Sequence, residues 1–278
     1  MAKREKDIVT VAPAEVRIVP DVVAQVTELR GAYAPGENLQ LPRVKTPVSA
    51  NANFMITDIG GETALTSFVA VVLAHRQTRA YWPEIGGNKG IPPTCSSLDA
   101  HTGHENTETG LAPHDCATCP RQQFGTGRDA TGRATRGQAC KRMVQMVILR
   151  PGSALPELIS CPPTSVQSYQ KYITILAANR LNIGQVWTVF GIGPRVGQYQ
   201  VPTIELKAEM GADKRVRRLT EEEAAAVGSL MSQIEEMFVA RRIALTSEDY
   251  AVDGGPVAAP QGAGAPVEVV EPEVEGAM

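Results

Sequence analysis

Four of the five cysteines in this 278-residue chain have a spacing that could do chemistry. Cys95, Cys116, Cys119 and Cys140 follow the pattern C-x20-C-x2-C-x20-C. A C-x2-C knuckle sets two thiolates on one tight turn, where they can share a tetrahedral ion, and a cysteine on either side completes four soft ligands. Zn2+ is the usual occupant of such a set. Four thiolates leave no open position for a reacting water, so the expected role is structural. The segment around them needs such an ion. Between Tyr81 and Lys141 the chain is rich in Gly, Thr, Pro and His and shows neither the helical nor the strand period. It has too few apolar residues to order itself by burial, and a metal supplies that order instead. His101, His104 and His114 fall in the same stretch, and any one of them could replace Cys95 or Cys140 as a ligand. Cys161 lies apart, in an apolar segment before Pro162, and reads as a small buried hydrophobe.

A catalytic zinc would need different neighbours. Nucleobase deaminases use His-x-Glu followed by Pro-Cys-x-x-Cys. Here Glu105 directly follows His104, and Asp115 rather than proline precedes Cys116. No His-Glu-x-x-His, phosphate-binding Walker loop or nucleophile elbow is present in the sequence. The expectation is a protein that is not an enzyme.

Cations and aromatics interleave next to the cysteines. Arg76, Arg79, Tyr81 and Trp82 lie at the exit of a strand-like run, and Phe124 follows the knuckle. Arg121, Arg128, Arg133, Arg136, Lys141 and Arg142 face only one acid, Asp129, over the same 22 residues. Cations along the phosphates, with flat rings for the bases to stack on, are what a single nucleic-acid strand requires. Trp82 could equally serve the core. The charge is uneven along the chain. Residues 248–278 hold seven acids and no Lys or Arg, so the other 247 residues carry +4 out of a total of −3. A basic body with an acidic tail suits a nucleic-acid partner.

The elements that must position these groups are mostly strands. The runs from Leu41, from Phe54 and from Ser67 to Trp82 read as an antiparallel meander, with Gly60-Gly61 as a turn. Phe68 to Leu73 is apolar on both parities, which predicts a strand covered on both faces. RMVQMVILR and LPELISCPP follow as strand candidates, and QVWTVFGIG pairs with QYQVPTIELKAEM through a turn at Pro194 and Gly197. Three helices are expected. One is short, from Asp21 to Arg30, and one is capped by Thr164 or Ser165 and runs to Asn179. The third opens on the Thr220–Glu223 capping box and ends near Arg242. The Ala-, Gly-, Pro-, Val- and Glu-rich end reads as disordered. No apolar run reaches the length of a membrane span, and the first residues lack a signal-peptide core, so an intracellular, reducing compartment is expected.

A set of short motifs carries a resemblance over about residues 41–210. It comprises Pro93-Thr-Cys-Ser-Ser-Leu-Asp99, Cys116-Ala-Thr-Cys-Pro120, Phe124-Gly125, Ala139-Cys140-Lys141, Pro162 to Ser165, and Tyr172. In these the chain resembles a family of tailed-bacteriophage single-stranded-DNA-binding proteins. The resemblance implies an OB-like antiparallel β-barrel with an inserted zinc module, and maps the four cysteines onto the ligands. It also implies replication or recombination work in a bacterial cytoplasm. The expected fold class is thus mainly β with flanking helices (α+β). The expected organisation is an N-terminal extension over 1–40, an OB-like domain over 41–246 with a zinc-binding insertion at 83–141, and an acidic tail over 247–278. That tail would recruit replication or recombination proteins. The alternative is a zinc-containing transcription regulator or protein-interaction adaptor.

Overall fold

The computed structural model describes residues 22–32, 39–47, 53–58, 61–83, 93–107, 110–128, 132–196 and 201–239. The acidic tail and the first twenty-one residues lie outside these. Helix α1 (Val22–Gly31) precedes strand β1 (Arg43–Lys45), and β2 (Phe54–Asp58) pairs with β3 (Gly61–Leu65). The long β4 (Ser67–Tyr81) leads to three short strands, β5 (Cys95–Ser97), β6 (Thr102–Thr107) and β7 (Gly110–Asp115). Then come β8 (Lys141–Leu149), β9 (Glu157–Cys161), α2 (Val166–Ala178), β10 (Thr188–Val196), β11 (Val201–Ala208) and α3 (Glu221–Val239).

The strands form one mixed sheet in the order β3-β2-β1-β9-β8-β4-β5-β6-β7, with β10 joining β4 and carrying β11. The sheet is not closed, so the protein is an α+β molecule built on an open β platform and the expected barrel is not seen. Nor is the pairing wholly antiparallel. β1 runs parallel to β9, with Val44 beside Ile159. The crossover between them has room for this, because seven other strands intervene in the sequence.

β4 is the axis of the molecule because its residues satisfy both neighbours. Residues 71–80 pair with β8, while residues 67–70 pair with β10 and 79–81 with β5 on the other edge. Its middle is buried on both faces, as the apolar run predicts, with Ala70, Val71 and Val72 at 0% exposure. On one face Phe68 stacks on Phe190 (centroids 4.8 Å apart) and meets Phe54 edge-on at 5.0 Å. Such pairs add about 0.5–1.5 kcal/mol each beyond their buried area. α2 closes this face with Val166, Tyr169, Tyr172 and Leu176, the helical stripe visible in the sequence. On the other face α1 and α3 bury Val22, Val26, Val227, Leu230 and Ile234 around Trp187. From Val22 onward, therefore, the segment expected as an extension contributes to the core.

Local signals behave unevenly. The capping box opening α3 is present: the Glu223 amide donates to Thr220 Oγ1 at 3.2 Å, and the Thr220 amide donates to Glu223 Oε2 at 2.9 Å. Ser165 precedes α2 but makes no cap bond there, and its hydroxyl accepts from the Ile204 amide at 2.8 Å. Pro194 lies inside β10, so it does not form the expected turn. The strand passes it with a register irregularity between Ile192 and Arg195. The largest correction concerns the insertion, which contains three strands. Its order comes from main-chain pairing on the edge of β4, which leaves no hydrophobic period to read.

Candidate metal and nucleic-acid site

The sheet register places the cysteine segments before any side chain is considered. Tyr81 pairs with Cys95 and Arg79 with Ser97, while Cys95 pairs with Glu105 and Gly103 with His114. Directly opposed residues share a face, so Arg79, Tyr81, Cys95, Ser97, Glu105 and His114 all stand on one side of this extension. Asp99 holds the β5–β6 turn. Its Oδ1 accepts from the Ser97 hydroxyl (2.9 Å), the His101 amide (2.8 Å) and the Thr102 amide (2.7 Å). Burial works against its charge, yet these bonds hold its carboxyl down at about 2. Ala100, within that turn, sits at φ 60°.

The knuckle is equally determined by short-range bonds. The Cys116 amide donates to the His101 carbonyl at 2.7 Å, which ties the knuckle to the β5–β6 turn. Asp115 Oδ1 accepts from the Ala117 amide at 2.8 Å, and the Cys119 amide closes the turn onto the Cys116 carbonyl. Asp115, noted in the sequence only as a departure from a deaminase motif, is thus the turn's organiser. The Cys140 amide donates to the Arg121 carbonyl at 2.9 Å, which brings the fourth cysteine back to the knuckle.

As a result Cys95, Cys116, Cys119 and Cys140 line one cavity of about 10 Å³, together with Arg79, Tyr81, Ser97, His114, Arg121 and Gln122. That space is the size of a single small sphere. Burial pushes the Cys95 thiol up to about 12 and Cys140 to about 11, and it raises Cys116 as well. Ser97 and Arg79 pull Cys116 the other way. Among the described residues, no three or more His, Cys, Asp or Glu side chains form a set that could hold an ion as they stand. The convergence of four thiols on one space and the absence of a finished coordination set are both facts of this structure. The first carries more weight, because the backbone fixes it, whereas a change of χ1 rotamer moves a sulfur without moving the chain. The donor set, the size of the cavity and the buried N–H groups of Arg79 that lack an acceptor all fit a cation surrounded by thiolates.

Of the three histidines, His114 alone lines the cavity, with Nε2 at 3.7 Å from Cys95 Sγ. Gly103 makes room for its ring, since a Cβ at that position would lie 2.6 Å from His114 Nε2. His101 is exposed, and His104 lies on the opposite face of β6.

The cations and rings are distributed by strand alternation. Arg76 and Trp82 fall on the face of β4 opposite to Arg79 and Tyr81. Arg76 donates to Gln145 Oε1 at 3.2 and 3.3 Å, and Trp82 packs half-buried against Ala80 and Met143. Arg121 covers the Tyr81 ring at 4.3 Å and pairs with Glu105 at 2.8 Å. Lys141 Nζ donates to the Gln138 carbonyl, and Arg142 is half-buried opposite Arg79. The loop from Arg121 to Cys140 is different. Its backbone folds on itself, with the Gly127 amide on the Gly137 carbonyl and Arg128 bridged to Ala134. It leaves Phe124 81% exposed, with Arg128, Arg133 and Arg136 exposed on the same loop. A separate groove of about 830 Å³ runs along the unpaired edge of β4, beside α2 and α3. Its lining includes Arg76, but also Asp99 and Glu235, so it does not concentrate positive charge. No protein-family model, curated protein or solved structure matches this chain.

Proposed function

We propose that this protein binds single-stranded DNA with little regard for sequence, through the loop between Cys119 and Cys140, in replication or recombination. Four cysteines hold a structural Zn2+ beneath that loop. One observation carries the reading: Phe124 is 81% exposed on the same loop as three exposed arginines, and the two ends of that loop are cysteines of the thiol cavity. An exposed Phe in an otherwise apolar-poor loop gains nothing for folding, whereas a base stacked on it gains about 1–3 kcal/mol. Arg128, Arg133 and Arg136 supply contacts to the phosphates on either side, and salt weakens these by counterion release. Cys95, Cys116, Cys119 and Cys140 would hold the ion, with His114 against the Cys95 sulfur. When bound, the ion supplies a cross-link among three separate stretches of chain. This reading needs no closed barrel, only a sheet edge that anchors the loop.

A second reading, a protein-interaction adaptor, has the groove of mixed charge beside β4 in its favour. Elemental analysis of the pure protein and a gel-shift series test the two together. The expected result is one zinc per chain, with tight retention of a poly-dT oligonucleotide that falls steeply with salt and exceeds retention of duplex. Absence of stoichiometric metal removes the zinc site. Absence of any poly-dT shift removes strand binding and leaves the adaptor.

A further inference from the structure

Arg79 is the one charged side chain among the described residues with buried N–H groups that find no acceptor, at both Nε and Nη1. Buried N–H groups held this way destabilise the fold unless an anion faces them. The cross-strand neighbour of Arg79 deepens the problem. Arg142 of β8 stands directly opposite, on the same face, and like charges in that relation destabilise a sheet. What Arg79 does face is the thiol cavity, which it lines. Four thiolates around a divalent cation leave an excess of two negative charges, which would face those two N–H groups.

We propose that Arg79 is the counter-charge of the thiolate centre, donating from Nε and Nη1 to the cysteine sulfurs, and that it is not a contact to the DNA strand. The inference rests on the zinc reading of the four cysteines. Arg79 is a positioning residue: it acts through the ligands, orienting them as an outer partner does in other metal sites. The planar fork matters, because two N–H groups must point at sulfurs together, and a lysine ammonium cannot reproduce that geometry.

The test uses the full-length protein, Arg79→Met and Arg79→Lys. Three quantities are measured: zinc content as purified, the rate of zinc release to a coloured chelator, and the thiolate-to-metal absorption band after Co2+ substitution. Wild-type should hold one zinc per chain. Release should be about 10–100-fold faster in Arg79→Met, the usual loss for an outer-shell partner, and intermediate in Arg79→Lys. The Co2+ band should shift in both variants. Poly-dT binding should return to the wild-type level when excess zinc is supplied. If Arg79→Met is insoluble, Arg79→Lys keeps the charge and carries the same test. Wild-type release rates and an unshifted band in the variants overturn the role of Arg79. So does a loss of poly-dT binding that zinc does not restore. A wild-type protein without metal instead overturns the zinc reading beneath it, and it does so before any variant is compared.

Discussion

Phe124 and Arg121 lie three residues apart and do opposite things. Arg121 is occupied: it lies over the Tyr81 ring and pairs with Glu105, so its charge serves the loop's own structure. Phe124 has no such use, and its exposure makes it the residue on which the functional reading turns. Phe124→Ala should therefore cost about 1–3 kcal/mol of poly-dT affinity, the value of one stacked base. The urea midpoint should not move, because the ring buries little in the free protein. Titration by fluorescence anisotropy alongside urea denaturation checks this. An unchanged affinity would take the strand off this loop.

The strands and helices differ in how they are held. β5, β6 and β7 contribute Cys95, Gly103 and His114 to the site and bury few large apolar side chains. Their order comes from successive pairing outward from β4 and from the Asp99 turn. α3 is held in the ordinary way, with Val227, Leu230, Ile234 and Met237 buried and a reciprocal cap at its start. Thr220→Ala removes one half of that cap and should lower the unfolding free energy by about 1 kcal/mol, read from urea denaturation by circular dichroism. Oligonucleotide affinity should be untouched, since this cap lies on an element outside the proposed loop. A loss of binding would place α3 in the interface.

Across the molecule these two kinds of support predict two stabilities. The layered core of β4, β8, β9, β10 and the helices is apolar and has no need of an ion. The extension from β5 to Cys140 is polar, and the proposed zinc is its cross-link. Treatment with a strong chelator should therefore strip amide protection from residues 93–140 while leaving the middle of β4 and β8 protected, as seen by hydrogen exchange. Loss of protection everywhere would make the ion a support of the whole fold. No change at all would deny it a structural role.

Much of this could be read along the chain. Apolar runs marked β4, β8 and β9, and a helical stripe marked α2. Thr220 and Glu223 marked the start of α3, because each of those signals lies within one element and needs no partner to be read. The cysteine spacing pointed in the same way to a shared site. Other features depend on pairing between distant residues, and only the folded chain decides them. Alternation along β4 sends Arg76 and Trp82 to one face and Arg79 and Tyr81 to the other, dividing what reads in one dimension as a single basic-aromatic patch. Registry across β6 and β7 selects His114 from three histidines, by seating its ring over Gly103. Partners also decide which cations are engaged. Glu105 occupies Arg121 and Gln145 occupies Arg76, so charge counted along the sequence overstates what the surface offers to an anion. Composition and period are local properties that a linear reading recovers, whereas a side chain's use depends on what the fold sets across from it.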